Sequence, residues 1–421
     1  MPIPSPFHER TAPLCTSFRW KDWAGYIAVC SYDPCHEKEY FAFREAAGLI
    51  DVTPLFKYEV CGRDAARLLS RMMVKDISTV KVGVVTYCGW CDDAGKLIDD
   101  GTVARLDEDR YRVTAADPSY HWLMKLARGL DVTIEDSSEQ LAALALQGPN
   151  AREVLRQCTD AEVDELGFFR VTNARFDGPS GSIEGWITRT GYTGDLGYEL
   201  WVDREHALAL WDQVMAAGRP YGLLPCGLDA LDMTRIEAGF IMMGVDYFSA
   251  PTVMRGNLKS TPYEAGLGWC VNLDRKDERP FIGQRALRAE KAAGSVWQFV
   301  GLEIDRVSVE ELYARHGLPP VLPAAACRSA LPVYCGTRQV GQVTSSTWSP
   351  ILKQYIALAT IETEYTRMGT ALSVEHTVEY ERCRVAATVR PSMFYNPSRK
   401  RSLGPTDLDS GRKRSTPAVA K

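Results

Sequence analysis

Two stretches of the chain carry side chains that could do chemistry together. The first is Arg189-Thr190-Gly191-Tyr192-Thr193-Gly194-Asp195-Leu196-Gly197-Tyr198-Glu199-Leu200. Its glycines let the backbone turn tightly and come close to a neighbour. Tyr192 and Tyr198 are interleaved with them, and Glu199 follows. Such a segment is either a long hairpin loop or a loop that presents an aromatic face and a carboxylate to a flat ligand rich in N–H donors. A pteridine ring is one such ligand, since its amino and ring N–H groups pair well with a carboxylate. The second stretch is Lys96-Leu97-Ile98-Asp99-Asp100-Gly101-Thr102-Val103, entered from the turn Asp92-Asp93-Ala94-Gly95. Neighbours in a strand point to opposite faces, so only one of Asp99 and Asp100 can look into a given site. The alternative is a turn-proximal acid pair exposed to water.

The surrounding pattern supplies the elements that must hold these groups. Residues 183–188 and 198–202 read as strands flanking the glycine loop. Residues 82–90 and 96–103 form a hairpin through the 92–95 turn, and residues 110–116 continue as a strand. Helical patterns cover 37–47, with Gly48 as the stop, then 63–74, 120–126 and 206–217. In the block from Leu224 to Gly239, Asp232 and Arg235 are three apart and share a helical face, which fits a local ion pair. From Trp297 onward short alternating segments dominate, at 299–304, 333–334, 340–345, 356–361 and 385–389. That pattern predicts a small antiparallel barrel.

Composition narrows the function classes. With 421 residues, 45% of them hydrophobic, the chain has ample core for two or three domains. A net charge of −5 argues against a general nucleic-acid binder. No apolar run is long enough for a membrane span, and Met1 to Pro6 lacks the make-up of a signal peptide, so the expected location is cytoplasmic. Among twelve cysteines, Cys30 with Cys35-His36 and Cys88 with Cys91 invite a zinc reading. Structural zinc wants four converging ligands in two short-spaced pairs. Buried reduced thiols are the expectation instead, and no metal ligand is assigned.

The loop resembles the signature of the glycine-cleavage T-protein (aminomethyltransferase) family, a Thr-Gly-Tyr-Thr-Gly-Glu segment followed by Gly-Tyr-Glu, with Asp195 in place of the commoner Glu. Further blocks resemble the family in order: Asp51-Val52-Thr53, Ile98-Asp99-Asp100, Gln147-Gly148-Pro149-Asn150-Ala151, the Leu224–Gly239 block, Phe281 to Leu287, and Thr344 to Pro350. The likeness spans about residues 37 to 395. It departs at Pro54-Leu55, which stand for His-Met, at Ala115-Ala116, near a usual Val-Val-Asn, and at Met243, where a tyrosine is usual. Asp229 and Leu231 replace the second glycine and first arginine of the helical block.

The resemblance implies an α+β, multi-domain, folate-binding fold of antiparallel sheets with helices and a C-terminal antiparallel β-barrel. The implied division is an arm at 1–36, a folate-binding region at 37–285, the barrel at 286–395 and a disordered tail at 396–421. It implies a transferase that moves a methyl or aminomethyl group from a small donor to tetrahydrofolate, in the T-protein manner or as a demethylase-like branch. Asp99 takes the catalytic place, Tyr87 and Tyr192 line the pterin, Glu199 meets its polar edge, and Arg235 grips the carboxylate tail. Partners implied are the small donor and a lipoylated carrier protein, with neither nucleic acid nor membrane. The three departures point to a donor other than a lipoyl arm, and Trp90 could face a sulfonium by cation–π attraction. The alternative is a folate-binding regulatory protein without transfer activity.

Overall fold

The computed structural model describes residues 1–178, 181–275, 279–322 and 325–404. A six-stranded sheet runs in the order Val171–Gly178, Gly181–Thr188, Gly197–Asp203, Leu141–Gln147, Ala47–Asp51, Leu223–Pro225. Its pairs are antiparallel except the last, which is parallel. Every residue of the strand Leu141–Gln147 is buried, because it is covered on both faces. Ala142, Leu144 and Leu146 pack into one core with the helix Ala207–Gly218, while Ala143 and Ala145 pack into another with Tyr40 and Met233. The period of two in a strand makes that split.

A five-stranded antiparallel sheet runs Val85–Cys91, Leu97–Asp107, Arg110–Ala115, Phe56–Cys61, Thr133–Asp136. A narrow cleft of about 10 Å³ lies between it and the larger sheet, with Thr102 and Thr114 on one wall and Thr188, Glu199 and Trp201 on the other. The N-terminal arm is itself folded into a small sheet of Ile3–Pro4, Arg19–Trp23 and Tyr26–Ser31, and its Phe7 is buried against Trp211.

The expected barrel is present and closes. Trp297–Ile304, Gln354–Glu362, Arg338–Ser349, Leu331–Cys335, Ala371–Val378 and Glu381–Arg390 form one ring of antiparallel pairs. The strand Ala371–Val378 is the one the sequence pattern does not announce, because Ser373, Glu375 and His376 break up its apolar positions.

The helix Leu228–Ala238 joins the parts. It is buried along almost its whole length and touches the helix Glu37–Glu45 and two barrel strands. Glu237, near its end, accepts from Tyr40 at 2.5 Å, from Arg44 at 2.6 and 2.8 Å, and from Ser349 of the barrel at 2.5 Å.

Two boundaries differ from expectation. Gly48 does not stop the first long helix; it lies inside the strand Ala47–Asp51, pressed so closely on Phe43 and Cys226 that a Cβ would meet them at 2.5–2.7 Å. The chain from 396 through Gly404 is docked. Arg399 donates to both oxygens of Asp195 at 2.7 and 2.8 Å, and Arg189 donates to the carbonyls of Lys400 and Ser402. Charge and backbone carbonyls hold this segment in place of an apolar face. The second basic cluster, Arg412-Lys413-Arg414, lies outside the described residues. Among the described residues no helix is long and apolar enough to cross a membrane.

Candidate active site

The hairpin Val85–Cys91/Leu97–Asp107 decides which acid shares a face with Tyr87. Its register pairs Cys91 with Leu97, then slips at a bulge so that Trp90 pairs with Asp99, Gly89 with Asp100 and Tyr87 with Thr102. Without the slip, Asp99 would share a face with Tyr87. With it, the face of Tyr87 carries Asp100 and Thr102, since one residue of slip turns every side chain over. The Tyr87 hydroxyl accordingly donates to Asp100 Oδ2 at 2.6 Å.

Asp99, expected to look into the site, is fully buried on the other face. Its Oδ1 accepts from the backbone N–H of Asp100 at 2.8 Å, and its Oδ2 from those of Ala116 and Asp117 at 3.1 and 2.9 Å. The Ala115-Ala116 departure is thus engaged through its backbone. Burial first, and then the neighbouring Asp100 charge, push the Asp99 carboxyl well above its usual range. Burial also raises Asp100, opposed by the hydrogen bonds from Tyr247 and Tyr87. The second phenol was not singled out by its sequence. Tyr247 donates to Asp100 Oδ1 and lies 3.5 Å from Asp99 Oδ1.

The glycine loop stands beside this cluster. Gly191 and Gly197 both lie against the buried Gln147, where a Cβ would come within 1.9 and 2.1 Å of its Oε1. Gln147 in turn donates to the carbonyls of Thr190 and Tyr198 and accepts from Thr193 at 3.0 Å. Close approach, foreseen in the glycine spacing, is therefore how the loop is pinned. Tyr192 is held by its hydroxyl on the Ile241 carbonyl and by its ring on Phe240, 5.6 Å between centroids. Ile241, whose carbonyl takes the Tyr192 hydroxyl, packs in the same apolar cluster as Tyr87.

Glu199 lies on the opposite wall of the cleft, taking a 3.4 Å bond from Thr188. Burial raises its carboxyl, with the Thr190 and Thr188 hydroxyls working the other way. At the outer end Tyr87 stacks on Trp269, 6.1 Å between centroids and 18° between planes, and Trp269 is 65% exposed.

Arg235 is not placed to grip a solvent-facing tail. It is fully buried, with Nε on Asp232 at 2.7 Å and Nη1 on Asp246 at 2.5 Å and on the Phe240 carbonyl. Burial works against its charge, but Asp246 and Asp232 outweigh that and raise its pKa. Its Nη2 has no hydrogen-bond partner among the described residues, so one buried donor remains for a ligand atom. Trp90 packs in the core with Cys88, Tyr58 and Val103, on the face away from Tyr87, and cannot meet a donor in the cleft. Leu55 and Met243, two of the departures, are half-buried apolar groups beside the Tyr192 and Tyr87 clusters respectively. Of the cysteines considered as ligands, Cys88 and Cys91 are buried with thiol pKa values raised by burial. The group of three ligand atoms found among the described residues is elsewhere, at His316, Glu381 and Cys383 on the barrel.

Two family descriptions match this chain. The GCVT N-terminal domain matches residues 7–275, and the glycine cleavage T-protein C-terminal barrel domain matches residues 298–396. The chain belongs to the glycine cleavage T-protein family. An aminomethyltransferase of Bacillus cytotoxicus is 32% identical over 383 residues, covering 90% of this chain and 94% of that protein. A trimethylamine-oxide aldolase of Ruegeria pomeroyi is 35% identical over 406 residues, covering 94% of this chain but 47% of that protein, so the chain spans about half its length. The crystal structure of glycine cleavage system aminomethyltransferase T from Bartonella henselae superposes with a TM-score of 0.79 at 23% identity. It covers 96% of this chain and all of that one, which fixes the T-protein fold.

Proposed function

We propose that this T-protein family member is a tetrahydrofolate-dependent one-carbon transferase that moves a methyl or aminomethyl group from a small donor to tetrahydrofolate. The observation that carries the reading is Asp100, clasped by the phenols of Tyr87 and Tyr247, with the Tyr87 ring stacked on the exposed Trp269. The residues present fit a reduced pterin. Two carboxyls suit its N–H edge, aromatic rings suit its faces, and the Nη2 of Arg235 is a buried donor without a partner among the described residues.

Tetrahydrofolate, when bound, supplies the nucleophilic nitrogens that accept the carbon. Asp100 holds or takes up a proton at its carboxylate oxygens beside those nitrogens, and its raised pKa brings that exchange toward neutral pH. Asp99 supports it from behind: its carboxyl, fixed by three backbone N–H groups, anchors the strand. Glu199 orients the ring edge, Tyr87 and Tyr192 exclude water from its faces, and Arg235 donates to the ring side of the ligand instead of its tail.

For the donor, both curated relatives carry names that speak of one carbon attached to an amine nitrogen. Met243 packs in the same apolar cluster as Tyr87, whose hydroxyl holds Asp100, which favours a small methylated or aminomethyl amine. A cytoplasmic setting and a lipoylated carrier belong to the aminomethyl version of this reading. The deciding experiment offers glycine-system components, a sulfonium, an aryl methyl ether and methylamines with tetrahydrofolate, and identifies the folate product by mass spectrometry. A methyl- or methylene-folate from one donor is the expected result. No carbon transfer from any donor, with folate bound, would leave a folate-binding protein only.

A further inference from the structure

Asp100 is gripped at both oxygens, and the two grips come from different parts of the molecule. Tyr87, on the adjacent strand, holds Oδ2. Tyr247, which holds Oδ1, arrives from the segment that follows the helix Leu228–Ala238. Its neighbour Asp246 is buried and fixed at both ends. One oxygen accepts from Arg235 at 2.5 Å and from the Met242 N–H at 2.8 Å, the other from Thr344 and Ser345 of the barrel at 2.5 and 2.9 Å. The barrel strand Arg338–Ser349 is therefore tied to Asp100 by a continuous path, Thr344/Ser345 to Asp246, then along the backbone to Tyr247 and its hydroxyl.

We propose that Tyr247 is a positioning residue for Asp100, and that the barrel sets its place through Asp246. The proposal rests on the one-carbon-transfer reading of the same site. Its chemical content is specific. A phenol on each oxygen fixes the plane of the carboxylate and leaves its remaining lone pairs for a ligand N–H. Each phenol also favours the ionised form, opposing the burial and the Asp246 charge that disfavour it. Burial first, and then Asp100, Asp99 and Tyr87, which face Tyr247 from the surrounding elements, disfavour its ionisation, so it stays a donor. Tyr247 lies within reach of both acids, which lets one hydroxyl serve whichever of the pair carries the charge.

The test uses Tyr247→Phe in the full chain, with Thr344→Val/Ser345→Ala as a second variant that leaves the phenol but releases one oxygen of Asp246, the other staying with Arg235 and the Met242 N–H. Tetrahydrofolate affinity is measured by calorimetry from pH 5 to 9, turnover with the donor found above over the same range, and urea midpoints of the ligand-free protein against pH. Losing one hydrogen bond to a charged group lowers turnover roughly tenfold to a hundredfold. The low-pH limb of the turnover profile moves to higher pH, because the ionised carboxylate has lost a donor, and the ligand-free protein shows the same upward displacement in its stability profile. The barrel variant shifts both in the same direction by less. Folate affinity near neutral pH stays within about threefold, since Tyr87 and Glu199 remain. An unchanged limb and unchanged stability profile in Tyr247→Phe would overturn the positioning role even though the wild type binds and transfers. A wild type that gives no heat with tetrahydrofolate would overturn the functional reading, while the ligand-free stability profiles would still decide for or against Tyr247.

Discussion

Tyr87 and Asp100 stand thirteen residues apart on neighbouring strands, yet a bulge at Trp90 brings them onto one face with 2.6 Å between hydroxyl and carboxylate. The same bulge turns Asp99 inward. The two acids should therefore fail differently when neutralised.

Asp100→Asn keeps the size of the side chain and both phenols nearby, so the fold should hold while turnover drops to background. Asp99→Asn puts an N–H₂ against backbone N–H donors that now meet a carboxylate. It should cost about 1–3 kcal/mol of stability and leave turnover in the folded fraction within an order of magnitude. Steady-state rates and urea melts on the two variants check this. Equal loss of turnover with equal stability would mean that Asp99 shares the chemistry.

Both acids are raised in the folded chain from an ordinary 3.8, by burial first. Between that value and the raised ones the folded state holds more protons than the unfolded state, so their contribution to stability is complete below about pH 4 and is lost as pH rises. The ligand-free wild type should lose stability with rising pH over this window by more than Asp100→Asn does. Urea midpoints at half-unit pH steps measure the difference, and parallel profiles would contradict it.

Glu237 is the point at which the N-terminal helix, the central helix and the barrel meet, and its ion pair with Arg44 is fully buried on both sides. Removing one member of such a pair leaves the other charged and dry. Glu237→Ala is expected to lose about 3–5 kcal/mol, read as a fall in the urea midpoint. A change within 1 kcal/mol, roughly that of an exposed pair, would show that the hub is solvated.

Much of this architecture could be read from residue types, and the misreadings have a common cause. The glycine spacing announced close packing around residue 191, and Gln147 is what it packs on. Five barrel strands were visible as alternation; the sixth was hidden by His376 and its polar neighbours. What stayed hidden depends on partners far along the chain. A single bulge, invisible in composition, put Asp100 and not Asp99 on the face of Tyr87. Arg235 looked free for a ligand because Asp246, which takes its Nη1, lies beyond the helix that carries it. The residues after 396 looked unattached because their anchors, Arg189 and Asp195, belong to the glycine loop itself.

That last attachment makes a prediction of its own. Asp195 is buried and accepts from Arg399 on both oxygens and from Tyr395 at 3.0 Å, while Arg44 stands farther off at 3.8 Å. The tail thus fastens the loop that carries Tyr192, three residues before Asp195. Arg399 is itself about two-fifths exposed, so solvent screens part of the pair, and Arg399→Ala should cost roughly 1–2 kcal/mol, well under the figure for a fully buried pair. Because Asp99, Asp100 and Tyr247 do not touch this contact, the kinetic effect should fall on folate affinity through a less constrained Tyr192. KM for tetrahydrofolate should rise severalfold with kcat within twofold. Arg399→Lys restores the charge but not the two-pronged grip, and should recover part of the loss. A fall in kcat with KM unchanged would instead tie the tail to Asp100 and not to the loop.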